Sequence, residues 1–585
     1  MPTLDPAPKL IQSIYTWFND GDLYVNRRYQ RKLVWTLVEK QQLINSILSQ
    51  YPIPAILLAE REEGGFEIID GLQRLHTIVS FMENAYPTSD GRYFDVAQFP
   101  TAKLRSDEGG FQPVVNEPML SPREVSTILD YVLAITVMRN ATMAEIDDVF
   151  RRINTYGHRL SDQERRQSGI QNEFSALVRS LASKIRGDVS NDILTLDEMP
   201  SISVDLPMNK HGYTVQADEV FWVSQGILRS TELRDSMDEQ YIADIVASVV
   251  GGSLIERSKT ALDEIYEADS AENARVETAL EVYGVEKIKD EFKFCVGEIE
   301  RVCAAGSPSK LRSVLFNSPS TNAFPSVFAV LFFAFHELLV QEGKLVADPQ
   351  GVKNAINGLA VHISGQAASS DKRRRNVDLV KGLIAPHLVD GVSPNIYGSN
   401  VITDIDGVIR RSQIELAHYE LKQGLLTLSP TKRGIDAGML PKLIRTICAI
   451  ANNGRTSGTV IVGVTDKISD AEKVKKLDGI EPRKVGPRYV VGVSREAAFL
   501  SESVEAYYSR IKEGIRASEL STALKNDVLS GIDYNDYFGL GVIIIAIPPQ
   551  RGPSFVGQKL YWRGGDETVE ATSTPDIVAI TQRFN

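Results

Sequence analysis

Ile68-Ile69-Asp70-Gly71-Leu72-Gln73-Arg74 decides how the first part of this chain is read. The apolar pair reads as the end of a buried strand. Gly71 permits a sharp turn, and Leu75, Ile78 and Val79 follow at helical spacing. A strand that turns into a helix places Gln73 and Arg74 at a helix N-terminus, where backbone N–H groups and the helix dipole favour an anionic ligand. Arg74 adds a planar, permanently charged fork suited to phosphate oxygens. Asp70 would orient that fork or help hold a cation. The same residues read equally as a structural Asp–Arg pair at a strand–helix junction, and five residues do not separate the two.

Around this turn, short strand-like runs alternate with amphipathic helices over roughly residues 1–180. Leu37 to Leu48 has the spacing of a helix with Leu43, Ile44, Ile47 and Leu48 inward. Ile56-Leu57-Leu58 and Phe66-Glu67-Ile68-Ile69 flank Glu62-Glu63-Gly64-Gly65, which predicts a hairpin. Val132 to Val137 reads as a buried strand followed by a helix from Met143 to Ile153, so the domain is α/β. From about 215 to 390 the pattern is helical, with Val220–Leu228, Tyr241–Val250, Val276–Val302, Val327–Leu339 and Val352–Ile363 as candidate helices. Pro386 to Gly407 reads as a linker, and strands at Val460–Val464 and Val542–Ile547 with a helix at Leu440–Ala451 begin a second α/β unit.

At 585 residues, several domains are expected, since single cores stop growing near ~250–300 residues. A net charge of −12 gives no global attraction to nucleic acid or to an anionic membrane. Binding to nucleic acid would need a local basic surface. The candidates are Arg27-Arg28 with Arg31-Lys32, Arg151-Arg152 with Arg159, and Lys372-Arg373-Arg374-Arg375. Cys295, Cys303 and Cys448 form no C-x-x-C pair, which argues against a zinc site or a disulfide framework. Met1 to Asp5 lacks the basic and apolar regions of a signal peptide, and Val327 to Phe335 is far shorter than a membrane span, so a cytoplasmic, membrane-free protein is expected.

Three further strings bear on the turn: Tyr29-Gln30-Arg31-Lys32-Leu33-Val34-Trp35, Pro52-Ile53-Pro54, and Phe150-Arg151-Arg152-Ile153-Asn154 with Gly157 and Leu160-Ser161. Together they resemble the ParB/sulfiredoxin-like domain marked by an Asp-Gly-Gln-Gln-Arg motif, found in GmrSD type IV restriction enzymes and the SspE defence nuclease. The resemblance implies nucleoside triphosphate binding, and in several members hydrolysis that gates a nuclease. By position, Asp70, Gly71, Gln73 and Arg74 would line the nucleotide pocket, Arg31 would add a phosphate contact, and Asn154 would close the site. Leu72 stands where the family has its first glutamine. If that side chain touches nucleotide, hydrolysis or nucleotide choice changes; if it faces the core, nothing does.

A second cluster is Glu415-Leu416-Ala417-His418-Tyr419-Glu420-Leu421-Lys422. In a strand, Glu420 and Lys422 share one face, with His418 on the same side. A carboxylate and a lysine together, with a further acid nearby, are the minimum for metal-assisted phosphodiester cleavage using Mg²⁺ or Mn²⁺. Glu415 and Asp466 are the candidate further acids, and a salt-bridged edge strand is the plain alternative. With Cys448-Ala449-Ile450-Ala451-Asn452, Gly458, Gly463-Val464-Thr465-Asp466 and Tyr561-Trp562-Arg563-Gly564-Gly565, the cluster resembles the Schlafen AlbA-like domain over about 405–585. That resemblance implies nucleic-acid binding and, as in Schlafen proteins, an endoribonuclease site. Its acids map to Glu415, Glu420 and Asp466, which would hold the metal, with Lys422 beside them.

The seven histidines show no ligand spacing, and His336, in an apolar run, reads as a core residue. There is no P-loop sequence and no His-Asn-His pattern. The expected architecture is multidomain α/β: a ParB-like α/β N-terminal domain (1–180), a helical coupling region (181–390), a linker (391–407) and a Schlafen AlbA-like α+β domain (408–585). The expected function is an anti-phage defence protein, a nucleotide-regulated, metal-dependent nuclease acting on RNA or DNA. A non-enzymatic nucleotide- and nucleic-acid-binding regulator and an NTPase with a nucleic-acid-recruiting C-terminal domain remain as alternatives. Homo-oligomerisation is left open.

Overall fold

The hairpin predicted around Glu62–Gly65 forms, and a six-stranded mixed sheet is assembled on it. Its strands are β1 (Thr3–Pro6), β2 (Leu23–Asn26), β3 (Ile56–Glu60), β4 (Phe66–Asp70), β5 (Ile135–Arg139) and β6 (Ile193–Thr195), in the order β1-β5-β3-β4-β2-β6. β3 and β4 pair antiparallel, while β3 runs parallel to β5 and β4 parallel to β2. Both faces are covered, which is why Ile68 and Ile69 can be apolar in succession. Leu58 and Ile68 pack with α1 (Leu37–Leu48) and α2 (Leu72–Met82), whereas Ala59, Ile69 and Met138 pack with Ile146 and Phe150 of α3 (Met143–Tyr156).

The computed structural model describes residues 2–27, 33, 35–107, 110–156, 161–169, 171–187, 193–199, 202–203, 215–317, 321–363, 369–391, 405, 408–409, 412, 418–454, 457–564 and 567–584. The chain divides into two units, residues 1–107 with 111–399, and residues 400–585 with 108–110. Within the first, the sheet and a helical core exchange chain. Phe174, Leu177, Val178 and Leu181 of α4 (Glu173–Arg186) enter the helical core. The chain then returns to pair β6 with β2, and Leu194 and Leu196 join the core of the sheet. No described helix is long and apolar enough to cross a membrane.

The helical core is built from α5 (Ser230–Arg234), α6 (Met237–Val250), α7 (Ala271–Tyr283), α8 (Val285–Ala304), α9 (Pro325–His336), α10 (Ser370–Ile384) and shorter helices. The helix predicted over Val276–Val302 is two, because Gly284 takes φ 95 between α7 and α8. α9 is apolar all round and buried all round, the pattern of a central helix. His336 is the core residue expected, its Nε2 2.9 Å from Glu291 Oε2. The first residues read as linker are structured, since Leu388–Asp390 pairs with Lys344–Val346. Residues 392–404, 406 and 407 lie outside the described residues.

Two buried arginines clamp this core. Arg186 Nη1 donates to Asp238 Oδ2 at 2.6 Å, and Arg373 donates to both oxygens of Asp244 at 2.7 and 2.8 Å and to the Ile255 carbonyl. The basic run 372–375 is therefore no free cationic face: Arg374 is also held, by Glu337 and Asp378.

In the second unit, β7 (Tyr419–Lys422), β8 (Gly458–Val462), β9 (Ile532–Asn535) and β10 (Val542–Ile547) form a sheet ordered β7-β8-β10-β9, with β7 parallel to β8. One face carries α11 (Met439–Ala451) over Val460, Val462, Ile543 and Ile545. The opposite face, with Ile461, packs against Val464, Val485 and Val490 of a small three-stranded sheet. β11 (Phe555–Val556), β12 (Lys559–Gly564) and β13 (Glu567–Glu570) form a separate antiparallel ribbon.

Arg373→Ala leaves Asp244 buried without its partner and is expected to lower stability by about 3–5 kcal/mol. Lys372→Ala, on the exposed side of the same helix, should stay within about 0.5 kcal/mol. Denaturant unfolding followed by circular dichroism reads both.

Candidate functional sites

β4 ends at Asp70 and α2 begins one residue later, so the whole reversal falls on Gly71. Its φ is 102, and a Cβ there would lie 2.9 Å from Ile56 Cγ1. Only glycine meets both conditions without strain. Leu72, the departure from the family motif, is 3 % exposed and lies in the sheet's core. Its side chain faces inward.

Arg74 is turned inward as well. Its Nη2 donates to Asp70 Oδ2 at 2.7 Å, and Nη1 donates to the carbonyls of Pro54 and Ala55 at 2.7 and 3.1 Å. The fork that sequence reading offers to phosphate thus fastens the strand end, the helix start and the Pro52–Pro54 bend together. The Asp70 side chain stays 42 % exposed. Gln73 Oε1 accepts the Trp35 backbone N–H at 3.3 Å, which seats the end of the Tyr29–Trp35 string on the turn. Phe150 packs in the cluster that contains Ile69, so the later string reaches the same strand end. Arg31 and the side chain of Asn154 lie outside the described residues.

Beyond Trp35, Thr36 caps α1 through a reciprocal box with Glu39. Glu39 also accepts from Arg234 of α5 at 3.2 Å. Burial pushes the Glu39 carboxyl up, but the Thr36 bonds and the Arg234 charge outweigh it, and its pKa falls below the usual value.

In the second unit, Glu420 and Lys422 do share a face, and Lys422 Nζ donates to Glu420 Oε1. Glu420 Oε2 accepts from Arg563 Nη1 at 2.9 Å, and the same Nη1 reaches Thr568 Oγ1 at 3.3 Å. Burial holds the Lys422 ammonium below its ordinary pKa; Glu420 opposes this, and the nearby cations Lys442 and Arg563 add to it. Glu420 and Arg563 border a cleft of ≈ 460 Å³ walled also by Lys442, Arg445, Glu567, Thr568 and Glu570. His418, in the turn before β7, has its pKa lowered by burial.

Two buried polar groups set this geometry. The Glu496 carboxylate accepts from the N–H groups of Leu425 and Leu426, the Tyr507 hydroxyl and Arg495, and so fixes the loop that follows β7. Asn452, at the end of α11, donates to the carbonyls of Ser554 and Tyr561 at 2.8 Å each and accepts the Ser554 N–H, which ties α11 to the ribbon carrying Arg563. Gly458 lets β8 pass under α11, since a Cβ there would lie 2.1 Å from Ile450 Cγ2.

Asp466 is placed differently. It follows Val464, whose side chain packs on the opposite face of the sheet, and its Oδ2 lies 3.6 Å from Arg488 Nη1. Glu415 lies outside the described residues. Among the described residues no three His, Cys, Asp or Glu side chains gather as a metal ion would need. Glu420, with both oxygens on cations, does not by itself fit a divalent ion. Sequence reading passed over Lys442, Arg445 and Thr568 as site residues. The available signal was the i, i+3 spacing of Lys442 and Arg445 on a helix whose other side is apolar.

Gly71→Ala is expected to lower stability by about 1–3 kcal/mol, from the positive φ together with the Ile56 contact. A thermal melt within a degree of the parent would refute the account of the turn.

Residues 14–170 match the family model of the GmrSD restriction endonuclease N-terminal domain, a little over a quarter of the chain. The match encloses the Asp70–Arg74 turn together with the strings on either side of it. No curated protein and no solved structure matches the chain.

Proposed function

We propose that this chain is a restriction-type defence protein, with a nucleotide-responsive N-terminal domain and a C-terminal effector that cuts nucleic acid. The match of residues 14–170 to a restriction endonuclease domain carries the reading. In the first domain a nucleoside triphosphate would lie at the start of α2, against Asp70, Gly71 and Gln73, with Arg31 and Asn154 closing on it. Arg74 would act through the shape of the turn, since its guanidinium holds Asp70, Pro54 and Ala55. In the effector, Glu420, Lys422 and Arg563 would face the phosphodiester. Cutting assisted by Mg²⁺ or Mn²⁺ would require Glu415 and Asp466 to complete the set with Glu420.

A second reading, a nucleic-acid-binding regulator without cleavage, is favoured by one observation. Both oxygens of Glu420 are engaged by cations, an arrangement suited to positioning as much as to catalysis.

The test is the purified chain incubated with labelled RNA and DNA, with Mg²⁺, Mn²⁺ or chelator, and with and without each nucleotide. Cleavage that needs the divalent ion, responds to one nucleotide and falls by about 100-fold or more in Glu420→Gln is the expected result. Strand binding without cleavage in every combination would leave the regulator.

A further inference from the structure

We propose that Lys442 and Arg445 form a phosphodiester-binding subsite for single-stranded nucleic acid in the cleft that contains Glu420 and Arg563. The inference deepens the nucleic-acid reading of the second unit and rests on it.

α11 buries Leu443, Ile444, Ile447 and Cys448 against the sheet and leaves Lys442 and Arg445 exposed. Three residues apart on a helix, the two side chains project from one face. Both line the cleft, and neither is engaged by a carboxylate among the described residues. The other cations of the neighbourhood are committed: Lys422 and Arg563 to Glu420, Lys559 to Glu570. The cleft wall carries the carboxylates Glu420, Glu567 and Glu570 as well, but Glu420 and Glu570 are taken by other cations, and Lys442 and Arg445 remain without an ion pair among the described residues on the α11 side. Burial is the main cause that holds the Lys422 pKa down, with Lys442 a smaller one, and Glu570 raises the pKa of Lys559 against a slight opposing effect of Arg445, so both cleft cations lie within electrostatic reach of their neighbours. An anion between Lys442 and Arg445 meets an ammonium and a guanidinium fork, the two groups that bind phosphate best.

The size of the cleft suits a single strand. A space of ≈ 460 Å³ lies at the small-ligand end of binding sites, room for about one nucleotide rather than a paired stack. The exposed carboxylate of Glu567, also on the cleft wall, accepts hydrogen bonds from ribose hydroxyls or base amines while phosphate lies on α11. Two phosphate contacts on one helix, with acceptors elsewhere on the wall, describe backbone tracking without base readout.

Fluorescence anisotropy of the full chain with end-labelled RNA and DNA strands of about twelve nucleotides, single and paired, tests this. Lys442→Ala/Arg445→Ala should weaken single-strand binding about tenfold or more, uniformly across sequences. It should also flatten the dependence of log K on log salt by about 1.4, about 0.7 for each phosphate contact. Lys484→Ala, an exposed charge outside the cleft, should change neither, and an unchanged thermal melt shows that the double variant is folded. Double-variant binding within twofold of the parent overturns the subsite, as does stronger binding of paired than of single strands. If the parent chain binds no strand at all, the nucleic-acid reading itself falls.

Discussion

The Arg74 guanidinium holds together three pieces of chain that diverge in sequence: Pro54 and Ala55 entering β3, Asp70 ending β4, and the first turn of α2. It meets two backbone carbonyls of the Pro-rich bend and the Asp70 carboxylate at once. A guanidinium is the one side chain able to meet carbonyls on one nitrogen and a carboxylate on another from a fixed plane. The position of Gly71 follows from that clamp. With strand end and helix start tied together, the chain between them is a single residue, and it must take a positive φ close against Ile56. The outward-facing groups of the turn, chiefly Asp70 and the helix N-terminus, are presented in one orientation because the arginine is not available to move.

The second unit applies the same logic with the signs rearranged. Glu420 lies between Lys422 and Arg563, residues brought from β7 and from a ribbon 143 positions later in the chain. That meeting depends on Asn452, which measures the distance between α11 and the ribbon through three hydrogen bonds to backbone. It depends equally on Glu496, which closes the loop after β7. Buried groups that satisfy backbone atoms are costly to disturb, because each removal strands a partner away from water. The cleft is therefore stiff at its floor, where Glu420 and Arg563 lie, and adaptable at its rim, where Lys442 and Arg445 extend on long aliphatic stems.

Much of this was legible in the sequence where one local rule acted alone. The Glu62–Gly65 hairpin, the strand-to-helix reversal at Gly71 and the shared face of Glu420 and Lys422 each follow from periodicity and a glycine. Position alone left the direction of Arg74 open between a fork for phosphate and a structural pair with Asp70, and the structure shows the pair together with the Pro54 and Ala55 carbonyls. The basic run 372–375 misleads for the same reason, since only the fold supplies Asp244 and Glu337 as its partners. The crossing of α4 into the helical core and the return of β6 to the sheet are long-range events with no local signature. Lys442 and Arg445 were ordinary solvated charges by composition, and only the ribbon opposite makes them the wall of a cleft.

The turn is also joined to the helical core by a short run of contacts. Gln73 accepts the Trp35 N–H, Thr36 follows and caps α1, Glu39 closes that cap, and the same carboxylate meets Arg234 of α5. Arg234 and Glu39 are 27 % and 40 % exposed, so their ion pair adds at most about 1 kcal/mol and cannot by itself hold the two regions together. Its effect is on orientation. Residues 35–39 are contiguous, and the cap allows them little freedom, so Gln73 at the turn and Arg234 on α5 both orient the first turn of α1. A buried pair such as Arg373–Asp244 differs from this exposed one: it leaves its helices no freedom to part, because breaking it strands a charge away from water.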